Sequence, residues 1–188
     1  MGPTDDAVLP ERREPPPFRP VTVRRIEDLS PRMRRVVLGG EALDGFEVPE
    51  PAASVRLLLP RADSVLELPS WTGNQFELAD GSRAPIRTLT PRHHDPDAHE
   101  LTVDVVQHGG GAVGTWAATA EVGSEAAVSG PGRGHAIDTT ADAHLLVGDE
   151  TALPAIDQLL ERMPDDVPVR VLVEVAAPDA RIALHTTP

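Results

Sequence analysis

The 188-residue chain has no cysteine, no tyrosine and no lysine. Without cysteine there is no disulfide framework, no thiolate nucleophile and no Cys-ligated zinc or iron–sulfur centre. Without lysine there is neither a Schiff-base amine nor the lysine of a Walker phosphate loop. Long apolar runs are missing as well: nothing approaches the roughly 20 residues a membrane helix needs. The first ten residues, MGPTDDAVLP, place acids where a secretion signal carries bases, and no apolar stretch follows. The chain reads as cytoplasmic, with no membrane partner.

What is present is arginine and acid. All 17 cationic side chains are Arg, against 30 Asp and Glu, for a net charge of −13. That bias, with 20 Pro and abundant Ala, reads as a coding bias rather than a design for one function. The charge is uneven: residues 1–40 carry +2, residues 41–140 carry −9 and residues 141–188 carry −6. So acidic a surface repels phosphate backbones, which excludes nucleic acid as the expected partner. Hydrophobic residues at 40% still suffice for a buried core.

Residues 1–17 are acidic and Pro-rich and read as a disordered lead-in. From Phe18 onward, short β-rich runs follow one another. Val21, Val23 and Ile26, then Met33, Val36 and Leu38, form a hairpin broken at Ser30-Pro31. SVRLLLP (54–60) is a third strand and residues 61–83 have no clear period. APIRTLTPR (84–92) is a fourth strand, with HHDPDAH as its turn. ELTVDVVQH (100–108) is a fifth, with Leu101, Val103 and Val105 on one face. After Gly109–Gly111, residues 113–123 read as a short helix, and EAAVSGPG (125–132) as a sixth strand. Six short, mostly antiparallel strands predict a mainly β, six-stranded barrel over 18–140.

The pattern changes near residue 141. HLLVG (144–148) and PVRVLVEVA (168–176) read as strands buried on both faces. Between them DETALPAIDQLLERMP carries a helical stripe of Ala152, Ile156, Leu159, Leu160 and Met163, with Asp149 or Thr151 as cap and Pro154 in the first turn. One incomplete βαβ unit over 141–188 is expected, too small to cover both faces of its own sheet. Apolar faces around Val171 and Val173 then predict a homodimer, or a partner that completes the sheet.

Side-chain chemistry is sparse. His93, His94 and His99 with Asp95 and Asp97 surround a turn, but their spacing fits no metal-binding face, so no metal site is expected. Ser129 lies outside any nucleophile elbow, and no catalytic acid, base or nucleophile is predicted. Two strand–Gly–helix junctions, VVQHGGGAVGTWA and LLVGDETA, can present backbone N–H groups to an anion. Neither has the three-glycine dinucleotide fingerprint. Arg87 and Arg92 flank TLTP, where a guanidinium can take a phosphate or simply form a surface ion pair.

Together, IRTLTPR (86–92), LTVDVVQHGG (101–110), WAATAEVGSEAAVSGPG (116–132) and LLVGDETALPAI (145–156) resemble the siderophore-interacting proteins, a branch of the ferredoxin-reductase-like flavoproteins. The resemblance runs from about Phe18 to Ala176 and rests on the order and spacing of four motifs. It implies a Greek-key FAD-binding barrel followed by part of an NAD(P)H-binding α/β domain, and flavin-mediated reduction of ferric siderophores. On the flavin motif R-x-Y-T-x-R fall Arg87, Leu89, Thr90 and Arg92: Arg87 for the flavin phosphate, Thr90 near the reactive ring, Leu89 where the family has an aromatic. Losing that ring costs on the order of 1 kcal/mol of flavin affinity.

Strand 101–108 supplies backbone contacts to the pyrimidine edge through Val106, His108 and Gly109. The pyrophosphate loop G-P-A-S-x-W-A aligns on Gly111, Gly114, Thr115 and Trp116, with Gly114 in place of the serine and Thr115 as a substitute hydroxyl if the helix start shifts by one residue. Asp149 and Thr151 open the nucleotide unit, with Thr151 approaching the flavin or nicotinamide. The resemblance therefore implies FAD as cofactor and a ferric siderophore or other small molecule as partner, while NAD(P)H keeps half a platform. The competing reading is a flavin- or ligand-binding module without reductase activity, acting as scaffold or partner subunit. A third is unrelated enzyme chemistry on the same barrel.

Overall fold

The structure, a computed structural model, describes residues 14–62 and 64–185. Of the expected lead-in over 1–17, residues 1–13 lie outside the described residues. Pro16 is attached: its carbonyl accepts from the Ser129 hydroxyl.

Alternating apolar residues build the barrel strands. β1 (Arg19–Ser30) turns into β2 (Met33–Gly39), and a short 3-10 turn at Glu41–Leu43 leads to β3 (Val55–Leu58). A two-residue pairing of β4 (Ser70–Trp71) with β5 (Phe76–Glu77) follows, in the stretch whose sequence shows no period. Its strands are too short to show alternation. It is held instead by rings: Trp71 on Phe76 at 5.0 Å and Phe76 on Phe18 at 5.1 Å. Then come β6 (Ile86–Leu89), β7 (Pro91–Asp95), β8 (Glu100–Val106), α1 (Ala112–Thr119) and β9 (Glu125–Ser129).

These strands, apart from β4 and β5, form one antiparallel sheet in the order β6-β3-β9-β1-β2-β8-β7. Its two edge strands are successive pieces of chain, separated only by Thr90. The sheet thus curls into a six-stranded barrel whose seam is one bent strand, in a Greek-key order. Leu38, Leu57, Leu101, Val23, Val36, Val55, Val103, Val105 and Val128 fill it with 1% exposure or less. Each such side chain removed from water contributes about 1.5–3 kcal/mol. On the outer side of β8, Asp104 is also buried, beneath a two-pronged bond from Arg35 at 2.8 Å.

Several sequence expectations are corrected. His93, His94 and Asp95 belong to β7 rather than to a turn, which tightens to residues 96–99. Asp95 stabilises that turn by accepting from the N–H groups of Asp97 and Ala98. The helix expected over 113–123 spans 112–119 and stops at Ala120, whose backbone is extended.

The second unit comprises β10 (His144–Asp149), a 3-10 turn (Glu150–Ala152), α2 (Leu153–Leu160) and β11 (Val169–Glu174), with β10 and β11 parallel. The expected double-sided burial of these strands is not found. Leu146, Gly148, Val171 and Val173 alternate with residues on the opposite, bare face, where Leu145, Val147 and Leu172 are 61%, 65% and 53% exposed. The exposed residues are therefore not Val171 and Val173, which are half-buried. A run of consecutive apolar residues signals burial on both sides only where a second layer exists. Gly148 lies against α2: a methyl there would collide with the Ala152 side chain and lie 3.5 Å from Ile156 Cδ1. None of the described helices is long and apolar enough to cross a membrane.

Candidate functional site

Two long-range clamps join the second unit to the barrel. Arg32, in the β1–β2 turn, donates to the Glu150 carboxylate at 3.1–3.3 Å, and Glu150 also accepts from the Ala176 N–H at 2.8 Å. Arg92, on β7, pairs with Asp157 on α2 and, at 2.5 Å, with Glu161, the residue that caps the end of α2. Between these clamps the Gln158 carboxamide donates to the carbonyls of Pro91 and Arg92 and accepts from the Ala52 N–H.

The 3-10 turn carrying Thr151 consequently packs against β8. The Arg32 guanidinium holds the Glu150 carboxyl below its ordinary value of 4.5. The folded state therefore binds this proton more weakly than the unfolded state. Glu150's stabilising contribution is complete above about pH 4.5 and is lost as pH falls through its lowered folded value. Melting temperatures measured from pH 7 to pH 3 should fall less steeply below pH 4.5 for Glu150→Gln than for the parent chain. Parallel curves would refute the pairing.

Next to these clamps, the barrel seam presents the residues singled out in the sequence. Leu89 opposes Val55 and packs half-buried on the core, leaving an apolar surface rather than an aromatic one. Thr90 occupies the gap between β6 and β7. Arg87 is exposed. Among the described residues its only side-chain hydrogen bond goes to the neighbouring Ile86 carbonyl at 2.8 Å, and no carboxylate pairs with it. In so acidic a chain, a guanidinium left without an acid is available to an external anion.

α1 faces the same end of the barrel. The loop reaches it through Gly109 (φ 71°) and Gly111 (φ 75°), left-handed conformations that favour glycine. Gly111 stands at the helix N-terminus and no side chain caps the first turn, so its N–H groups lack the usual side-chain acceptor. Gly114 is buried: a Cβ there would stand 3.7 Å from the Val106 carbonyl. Thr115 is exposed, and Trp116 packs half-buried on the core. The helix begins at Ala112, one residue before the expected start. An open groove of about 890 Å³ separates Gly111, Thr115 and Trp116 from Arg61 and Val65. Pro85 forms part of its wall and also borders a second groove of about 570 Å³, lined by Arg56, Arg83, Arg87 and Trp71. Pro85 thus stands between an arginine and a helix N-terminus that, among the described residues, have no carboxylate partner and no side-chain cap.

The remaining candidates are placed differently. Val106 ends β8, and His108 is exposed on the loop beyond it. Asp149 caps the Thr151 N–H at 2.8 Å and accepts from its hydroxyl at 2.6 Å. Those bonds draw the Asp149 carboxyl below its ordinary value. Of the two readings open for Arg92, phosphate contact or ion pair, the structure shows the ion pair: Asp157 of α2 and Glu161 just beyond it take its guanidinium. His94 packs edge-on against Phe46 at 5.6 Å, and burial lowers its pKa. Among the described residues no group of three His, Asp or Glu side chains is arranged to hold a metal. Glu150, Asp157 and Gln158 escaped the sequence reading because their barrel partners lie 65 to 118 residues away, and no local pattern signals such pairs.

Comparison with known proteins adds the following. Residues 22–135 match the siderophore-interacting FAD-binding domain, and residues 141–188 match the siderophore-interacting protein family. An uncharacterised protein of Mycobacterium tuberculosis is 40% identical over 174 residues, covering 89% of this chain and 61% of that protein. The NADPH-dependent ferric-chelate reductase of Escherichia coli is 36% identical over 146 residues, covering 78% of this chain and 57% of the reductase. The crystal structure of a siderophore utilization protein from T. fusca superposes with a TM-score of 0.79 at 33% identity, covering 92% of this chain and 66% of that one. This chain thus spans 61% or less of the length of these two curated relatives.

Proposed function

The chain belongs to the siderophore-interacting protein family and carries its FAD-binding domain, and from that premise we propose that it reduces ferric siderophores through bound FAD. The observation that carries this reading is the meeting, across Pro85, of an arginine and a helix N-terminus that, among the described residues, have no acid partner and no side-chain cap. When bound, and once reduced by an external two-electron donor, FAD would supply electrons one at a time to the ferric ion of a chelate, which would then hold the ferrous product more weakly. The chain's own part is to bind and orient. Arg87 and the first turn of α1 would hold the pyrophosphate, Leu89 would support the ring, Thr90 would stand near its reactive part, and Val106 and His108 would offer backbone groups to its pyrimidine edge. No side-chain acid or base is required.

The test is optical. The purified chain, titrated with FAD, should hold a flavin whose absorbance bleaches with dithionite and returns on adding a ferric siderophore. A colourless protein that refuses FAD at concentrations saturating for flavoproteins defeats the proposal. Arg87→Ala should weaken FAD binding by about 1–3 kcal/mol, the scale of a hydrogen bond to a charged group. Unchanged affinity in a fluorescence titration would remove Arg87 from the site.

The bare β10–β11 face favours a second reading, a flavin-binding module that works with another subunit. It predicts flavin that binds and bleaches but is not reoxidised by the ferric chelate any faster than free flavin.

A further inference from the structure

We propose that Gln158, on α2, is a positioning residue for the flavin-facing seam of the barrel, a role that rests on the FAD reading above. The seam is where the sheet is least self-sufficient. β6 stops at Leu89, Thr90 belongs to neither strand, and Pro91 has no N–H to give to a ladder. The pairing of β7 with β8 slips between Pro91 and His93.

Into this gap the second unit delivers one carboxamide. The Gln158 Nε2 group donates to the Pro91 carbonyl at 2.6 Å and reaches the Arg92 carbonyl at 3.3 Å. Its Oε1 accepts from the Ala52 N–H at 2.9 Å. Ala52 itself stands at φ 52°, a left-handed conformation that a non-glycine residue holds only when its surroundings enforce it. Ala52 lies three residues before Val55, the cross-strand partner of Leu89. Gln158 therefore grips the chain on both sides of Leu89–Thr90: through Ala52 on the β3 side and through Pro91 on the β7 side. The donor and acceptor pattern also fixes which way round the carboxamide sits, because two carbonyls face its nitrogen and one N–H faces its oxygen.

These bonds are not the sole hold on α2. Arg92 with Asp157 and Glu161, and Arg32 with Glu150, also tie the unit to the barrel. What Gln158 adds is the backbone position of the two residues proposed to face the flavin. It makes that position a property of both units rather than of the barrel alone.

The test uses the full chain with two variants. Gln158→Met keeps the length and removes all three bonds. Gln158→Glu keeps an acceptor for Ala52 but cannot donate to the carbonyls as a carboxylate. In the apoprotein, amide exchange at Leu89, Thr90, Arg92 and Ala52 should speed up in the Met variant, while exchange in β1, β2 and β9 stays unchanged. In the Glu variant Ala52 should remain protected and the seam should not. With FAD bound, both variants should show a shifted flavin absorption envelope and an affinity lower by about two- to tenfold, the worth of one or two neutral hydrogen bonds. Exchange that accelerates across the whole barrel in both variants, or stays unchanged at the seam, overturns the positioning role. A parent chain that takes up no FAD would overturn the flavin reading instead, and the apoprotein exchange result would still decide whether Gln158 holds the seam.

Discussion

Replacing Arg92 by alanine is expected to destabilise the chain by about 3–5 kcal/mol, the cost of leaving one partner of a buried ion pair alone. Arg92 and Asp157 keep only 15% and 12% of their side-chain surface exposed, so water cannot take the place of the lost partner. One guanidinium also neutralises two carboxylates, Asp157 and Glu161, that stand one helical turn apart and repel each other without it. Among the described residues the Asp157 carboxylate would keep a single donor, the His185 N–H. Urea unfolding at neutral pH measures the effect. A loss below 1 kcal/mol would mean that the pair is solvated in solution. The double replacement of Arg92 by Met and Asp157 by Leu should recover much of the loss, because removing both charges removes the desolvation cost as well.

Gly148→Val is expected to cost about 3 kcal/mol, at the upper end for overpacking a filled site. The glycine is what lets α2 lie directly on β10: its missing side chain is the space that the Ala152 methyl occupies. A branched side chain there forces the helix away from the sheet and opens the contact that buries Leu153 and Ile156. Ala152→Gly in the same chain should restore more than half of the stability, and the coupling between the two positions is readable from a double-mutant cycle. Additive losses would show that the strain lies elsewhere.

Most barrel strands were legible in the sequence because β1, β2, β3 and β8 carry enough alternating apolar residues to declare a face, while β9 reads as a short apolar run, Ala126–Val128, before a Gly/Pro turn. Leu101, Val103 and Val105 are the clearest case, and all three are buried in the core. The junctions at Gly111 and Gly148 were legible through glycine, which marks close approach and left-handed backbone. What stayed hidden was everything decided by partners distant in sequence. The bare side of Leu145 and Val147 depends on which layers are present, and an apolar run cannot report that. The sequence left Arg92 open between a phosphate and an ion pair, and only the arrival of α2 gives it Asp157 and Glu161 as partners. Thr90 as a break in the fourth strand was foreshadowed by Pro91, yet its bracing by Gln158 has no local trace.

The ring order has a consequence for synthesis. β9, the last barrel strand made, inserts between β1 and β3, the first and third. Until Ser129 has been translated, both neighbours present unpaired edges, and the cylinder cannot close however stable its earlier hairpin is. More than a hundred residues separate Val21 from its partner Ala126, so closure carries a large loop entropy and comes late. A nascent chain stalled before β9 would expose two open strand edges at once, which makes that interval the time when a chaperone has most to protect.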